Sequence, residues 1–111
     1  YRDIGIPMGD VHLIKLLDAL IQALKVEQLW SDAKPSESAL LSDAPFCCDT
    51  LTFEQWLQFI FEPKMRKIAD HGDPLPQMAL MPMSELTYGG QYPLLDTVVT
   101  KLDAYSKNAP R

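Results

Sequence analysis

The sequence is 111 residues long, with 47% hydrophobic and 23% charged side chains, the ordinary proportions of one globular domain with a modest core. Fifteen acidic against ten basic side chains leave a net charge of −5, which argues against stand-alone nucleic-acid binding, since phosphate neutralisation needs clustered Lys and Arg. Cys47 and Cys48 are adjacent and bridge only through a strained ring, so no disulfide framework is expected.

Residues 1–10 carry Gly5, Pro7 and Gly9 without an apolar run and read as an N-terminal extension rather than a signal peptide. Every uninterrupted apolar stretch falls well short of the roughly eighteen residues that span a bilayer, so no membrane segment and a cytoplasmic location are expected. A single domain over 11–106 and a tail over 107–111 complete the division.

The first expected helix runs from Val11 to Trp30, with Asp10 as its N-cap. His12, Lys15, Asp18, Gln22, Lys25 and Gln28 recur at spacings of three and four, a narrow polar stripe. Leu13, Ile14, Leu16, Leu17, Leu20, Ile21 and Leu24 fill most of the remaining circumference, which suits a central helix or one that meets a partner. Residues 31–51 then form a long loop in which Asp32, Glu37, Asp43 and Asp49 oppose Lys34 alone. A short helical turn over Glu37 to Ser42 is expected within it.

A second long helix is expected from Phe53 to Asp70. Thr52 and Gln55 have the spacing of a capping box, and Phe53, Trp56, Leu57 and Ile60 share one face. Pro63 opposes the carbonyl of Phe59, so one kinked helix is expected, with Gly72 as the left-handed residue just past its end. A short helix over Pro82 to Tyr88 comes next, ended by Gly89 and Gly90. The last helix starts at Pro93 and places Leu95, Val98, Leu102 and Tyr105 on one face up to Ser106. No run alternates as a strand does. The expected class is all-α: a bundle of about four helices, two long, one short and one C-terminal, with a long loop between the first two.

His12, His71, Cys47 and Cys48 have neither the i, i+4 nor the C-x-x-C spacing of a zinc site, and no glycine-rich phosphate loop is present. Neither a metal nor another cofactor is expected, and no catalytic residue is assigned. His12 reads as a solvated stripe residue and His71 as a helix-terminal cation. The two cysteines read as small hydrophobes that pack the loop onto the core. Lys64, Arg66 and Lys67 form a local cluster best explained by the C-terminal half of a helix. More informative are Phe53, Trp56, Phe59 and Phe61, which one helix cannot all direct inward.

The stretch Pro45-Phe46-Cys47-Cys48-Asp49-Thr50-Leu51, then Phe53 to Phe59, then Pro63-Lys64-Met65, together with Pro74-Leu75-Pro76 and Pro82-Met83, resembles the YqcC-like family of small bacterial helical proteins. The likeness runs from about Val11 to Asp103 and is most specific between Pro45 and Pro82. It implies a compact helical bundle, no assigned catalytic residues, and a genetic neighbourhood shared with a tRNA pseudouridine synthase.

The expected function is a non-enzymatic interaction module, accessory to tRNA modification or translation. Its candidate surface comprises Trp56, Phe59, Pro63, Met65, Pro74, Pro76 and Met83, with the 56–63 face forming a groove against the 74–83 segment. The expected partner is another protein or, through the broadly apolar first helix, a second copy of the chain. The runner-up is a small-molecule-binding protein or enzyme with a pocket near 45–50, using Cys48, Asp49 or His71.

Overall fold

The computed structural model describes residues 11–108. The elements run α1 (Val11–Val26), α2 (Glu37–Leu40), a single 3-10 turn (Pro45–Cys47), α3 (Phe53–Trp56), a π-turn (Leu57–Phe61), α4 (Glu62–His71), α5 (Met81–Tyr88) and α6 (Pro93–Asn108). Among the described residues every regular element is helical, the all-α bundle that the periodicity implies. The expected N-cap Asp10 lies outside the described residues.

Helix α1 is the centre of the bundle and packs against both α4 and α6. Leu13, Leu16, Leu17, Leu20, Ala23 and Leu24 are buried, whereas all six stripe residues face solvent. Each Leu fully withdrawn from water contributes about 1.5–3 kcal/mol, so this one helix supplies a large share of the core. Leu57, Phe61, Met65 and Ala69 meet it from one side, and Leu95, Val99 and Leu102 from the other. Arg66 ties α4 to α1 at the surface, with its guanidinium on Asp18 at 2.9 Å and on Glu62.

The end of α1 differs from expectation. The helix stops at Val26 because Gln28 takes a left-handed backbone (φ 63°). The Leu29 amide then donates to the Leu24 carbonyl at 2.7 Å and the Gln28 amide to Lys25 at 3.1 Å, the paired bonds of a Schellman cap. Glycine normally fills that position, so a glutamine there leaves no trace in the sequence. At Gly72 (φ 68°) the same pattern recurs where it is expected: Asp73 bonds Ile68 and Gly72 bonds Ala69.

Helices α3 and α4 form one continuous run through the π-turn. The Thr52 hydroxyl accepts from the Gln55 amide and the Gln55 side chain accepts from the Thr52 amide, the expected capping box. Pro63 is accommodated just after the wide turn, in which the Glu62 amide reaches the Leu57 carbonyl. The turn opens the backbone ahead of the proline ring, so the expected kink takes the form of a π-turn. Ser36 caps α2, which ends at Leu40 rather than Ser42, and α6 continues two residues past Ser106.

Helix α5 is bound to its neighbours by polar contacts. The Tyr88 hydroxyl donates to Glu54 on α3 at 2.6 Å, and the buried Ser84 hydroxyl donates to Asp96 on α6 at 2.8 Å. Burial, followed by the bond to Glu54, holds the Tyr88 phenol well above its ordinary pKa.

Two outcomes test this description. Gln28→Gly relieves the left-handed strain and should raise stability by about 0.5–1 kcal/mol in urea titration. The raised phenol pKa means that the folded state retains a proton which the unfolded chain releases above pH ~10. Its contribution is therefore full below that pH and is lost as pH rises. Tyr88→Phe should cost about 1–2 kcal/mol at neutral pH, with the two stability curves converging in alkaline solution.

Candidate functional site

The long loop is pinned to α3 and the π-turn at two places. Gln58, buried within the π-turn, grips the backbone of Ser31 from both sides: its Oε1 accepts from the Ser31 amide at 2.8 Å and its Nε2 donates to the Ser31 carbonyl at 2.7 Å. At the far end, Phe46 and Cys47 both take left-handed backbone angles (φ 57° and 51°), at a cost on the order of 1–2 kcal/mol each. The strained turn lays the Phe46 ring edge-on to Trp56 at 4.8 Å and to Phe53 at 5.8 Å. Such aromatic pairs return about 0.5–1.5 kcal/mol beyond their area burial. Cys47 is buried beneath the turn, whereas Cys48 is exposed, so only one of the two cysteines packs the loop.

On the opposite side, α6 holds the 78–81 segment. The Asp103 carboxylate accepts from the Leu80 amide at 2.7 Å and the Met81 amide at 2.8 Å. The Ser106 hydroxyl accepts from the Met78 amide at 3.0 Å. Leu80 stands at the start of α5 with no side-chain cap of its own, so Asp103 satisfies the free amides there from a remote helix.

Between these two walls runs a groove of about 390 Å³. Trp56, Ile60, Phe61, Lys64 and Met65 line one wall, Phe46 one end, and the stretch from Pro76 to Leu80 the other wall. Of the seven residues expected to form a surface, Trp56, Met65 and Pro76 line it, with Met65 buried in its floor and Trp56 half-buried. Phe59, Pro63, Pro74 and Met83 lie outside its lining: Phe59 is half-buried, Pro63 and Pro74 are exposed, and Met83 packs against the core. Phe53 and Phe61 are buried within the chain. Lys64 is exposed, but Arg66 is engaged by Asp18 and Glu62, which breaks up the basic cluster.

The residues considered for reactive chemistry lie apart in their contacts. Asp49 accepts from Ser42 within its own loop, and His71 lies 4.0 Å from Asp73. No hydrogen bond or ion pair among the described residues joins Cys48, Asp49 and His71. His12 is exposed and stacks at a tilt on Tyr105 with 4.6 Å between ring centres. Among the described residues no group of three or more His, Cys, Asp or Glu is placed to hold a metal, and no helix is long and apolar enough to cross a membrane. A smaller depression of about 220 Å³ lies between α1 and α6, lined by Ala19, Ala23, Val26, Leu94 and Val98 together with Gln22 and Thr97.

Gln58, Phe46, Asp103 and Ser106 shape the groove yet escape a reading of the sequence for function. Only Gln58 leaves a local signal, as a polar residue inside the apolar run from Trp56 to Phe61.

Comparison with known proteins places this geometry in context. E. coli protein YqcC is 33% identical over 92 residues, covering 79% of this chain and 84% of that protein. Its solution NMR structure superimposes with a TM-score of 0.79 at 29% identity, over 90% of this chain and 89% of the other. An uncharacterized protein of Haemophilus influenzae is 36% identical over 70 residues, 62% of this chain and 66% of its own length. A tRNA pseudouridine synthase C of Pectobacterium carotovorum is 38% identical over 56 residues, half of this chain but 15% of that protein. The model of the DUF446 family, described as tRNA pseudouridine synthase C, matches residues 12–107. With the model spanning nearly all of the described bundle and the YqcC fold reproduced, the chain belongs to the DUF446 family.

Proposed function

We propose that this chain is a non-enzymatic interaction module, accessory to a tRNA pseudouridine synthase, which it engages through the groove between α3–α4 and the Pro76–Leu80 segment. The observation that carries this reading is the Pectobacterium relationship. There, a stretch similar to half of this chain forms 15% of a protein named tRNA pseudouridine synthase C. Covalent linkage holds two units at an effective concentration in the millimolar range for short linkers, a condition under which a shared surface is readily maintained. When the same units are separate chains, the contact must supply its own affinity.

The groove has the chemistry of such a contact. Trp56 offers a rigid aromatic anchor that is only half-buried, and Met65 and Met78 provide soft, adaptable walls. A net charge of −5 and an Arg66 already engaged by two carboxylates favour a division of labour in which the synthase holds the tRNA and this chain holds the synthase. The cytoplasm, where tRNA is modified, is the matching location.

The test is titration calorimetry of the purified chain with the tRNA pseudouridine synthase C of the same organism, alongside sedimentation of each alone. A complex with a micromolar or tighter Kd is expected, weakened at least tenfold by Trp56→Ala with the helical circular dichroism intact. Independent sedimentation of the two proteins at tens of micromolar would overturn the proposal. A homodimer of this chain that excludes the synthase would do so equally.

A further inference from the structure

The backbone of the groove wall is committed on one side and free on the other. Met78 directs its amide to the Ser106 hydroxyl at 3.0 Å, and its carbonyl accepts from the same hydroxyl at 3.4 Å. Two residues on, the Leu80 amide reaches Asp103 on the same helix. One residue's N–H and C=O facing the same side, with the next but one amide also facing it, is the pattern of extended backbone. The polar groups of Gln77 and Ala79 are therefore turned away from α6. Both residues are exposed, and neither backbone makes a hydrogen bond among the described residues.

This short free edge borders the groove that Trp56, Phe61 and Met65 line from across. Pro74, Pro76 and Pro82 carry no amide hydrogen, so the usable edge is confined to a few residues. Lys64 is the only ionisable side chain in the lining, is exposed, and forms no ion pair among the described residues.

We infer that the groove receives an extended peptide segment of the partner. Its backbone pairs with Gln77 and Ala79, its alternate apolar side chains enter between Trp56 and Pro76, and a carboxylate on it meets Lys64. Strand addition suits this wall because main-chain pairing supplies affinity while the adjoining pockets select side chains. Lys64, with no acid beside it in the lining, supplies the charge complementarity. This inference rests on the accessory reading above and specifies how that contact is made.

Ala79→Pro is the discriminating variant. It deletes one exposed donor that bonds nothing among the described residues, and it favours at Met78 the extended backbone that the bonding to Ser106 implies. The probes are the synthase itself and short synthetic peptides tiling its sequence, with NMR on the isotope-labelled chain. One peptide with alternating apolar residues and an acidic side chain is expected to bind. It should shift the Gln77 and Ala79 amides most and slow their hydrogen exchange at least tenfold.

Ala79→Pro should weaken both the peptide and the synthase about tenfold while the Met78 and Leu80 amides keep their positions, and Lys64→Glu should weaken them as well. Unchanged synthase affinity in Ala79→Pro overturns strand addition and leaves the accessory reading standing. Peptide-induced shifts confined to the α1–α6 face overturn it in the same way. Failure of the unsubstituted chain to bind the synthase removes both.

Discussion

The Asp103 carboxylate is the interaction on which the shape of the groove depends. Helix α5 begins at Met81 without a local capping side chain, and its first amides would otherwise be left to water. Asp103 accepts two of them, and Ser106, one helical turn further along α6, takes the Met78 amide. Hydrogen bonds to a charged group contribute about 1.5–3 kcal/mol each, enough to order a segment that is otherwise held by the buried side chains of Leu75 and Leu80. The same negative charge complements the positive end of α5. One side chain thereby starts a helix and sets the position of a groove wall.

The opposite wall has a different origin. Its placement comes from α1, whose leucines bury the inner faces of α4 and α6 at once and hold the two sides of the molecule to a common core. Its surface comes from the π-turn and the strained Phe46–Cys47 turn, which bring Trp56, Phe61 and Phe46 together. Local strain there is offset by aromatic contact. The groove is thus assembled from three separate parts of the chain, none of which forms it alone.

How much of this was legible in the sequence depends on the range of each determinant. Local signals were readable: the Thr52–Gln55 capping box, the left-handed glycines at 72 and 89, Pro93 at the head of α6, and the apolar circumference of α1. The end of α1 was not, because Gln28 occupies a site where glycine is the usual marker. Four of the seven expected surface residues lie outside the groove, and two of them, Phe59 and Pro63, do so for a geometric reason. A face counted from Trp56 through Phe59 to Pro63 assumes α-helical periodicity, but the π-turn adds a residue and rotates the remainder of the helix by about 100°. Phe61 and Met65, five and nine residues after Trp56, therefore join Trp56, Ile60 and Lys64 at the groove, while Phe59 and Pro63 lie outside its lining. Asp103, Ser106 and the Tyr88–Glu54 pair act across more than twenty residues of chain and leave no pattern that spacing can reveal.

The central claim is that a remotely capped segment and an aromatic helix face create one docking groove, and that a tRNA pseudouridine synthase occupies it. The most direct measurement is the affinity of Asp103→Ala for that synthase, with the helical content of the variant monitored in parallel. Asp103 lines no part of the groove; it only holds the wall in place. The account predicts a bundle that stays folded, with fast-exchanging Leu80 and Met81 amides and a Kd at least tenfold weaker. An unchanged Kd in a variant whose 78–81 segment has come loose would contradict it.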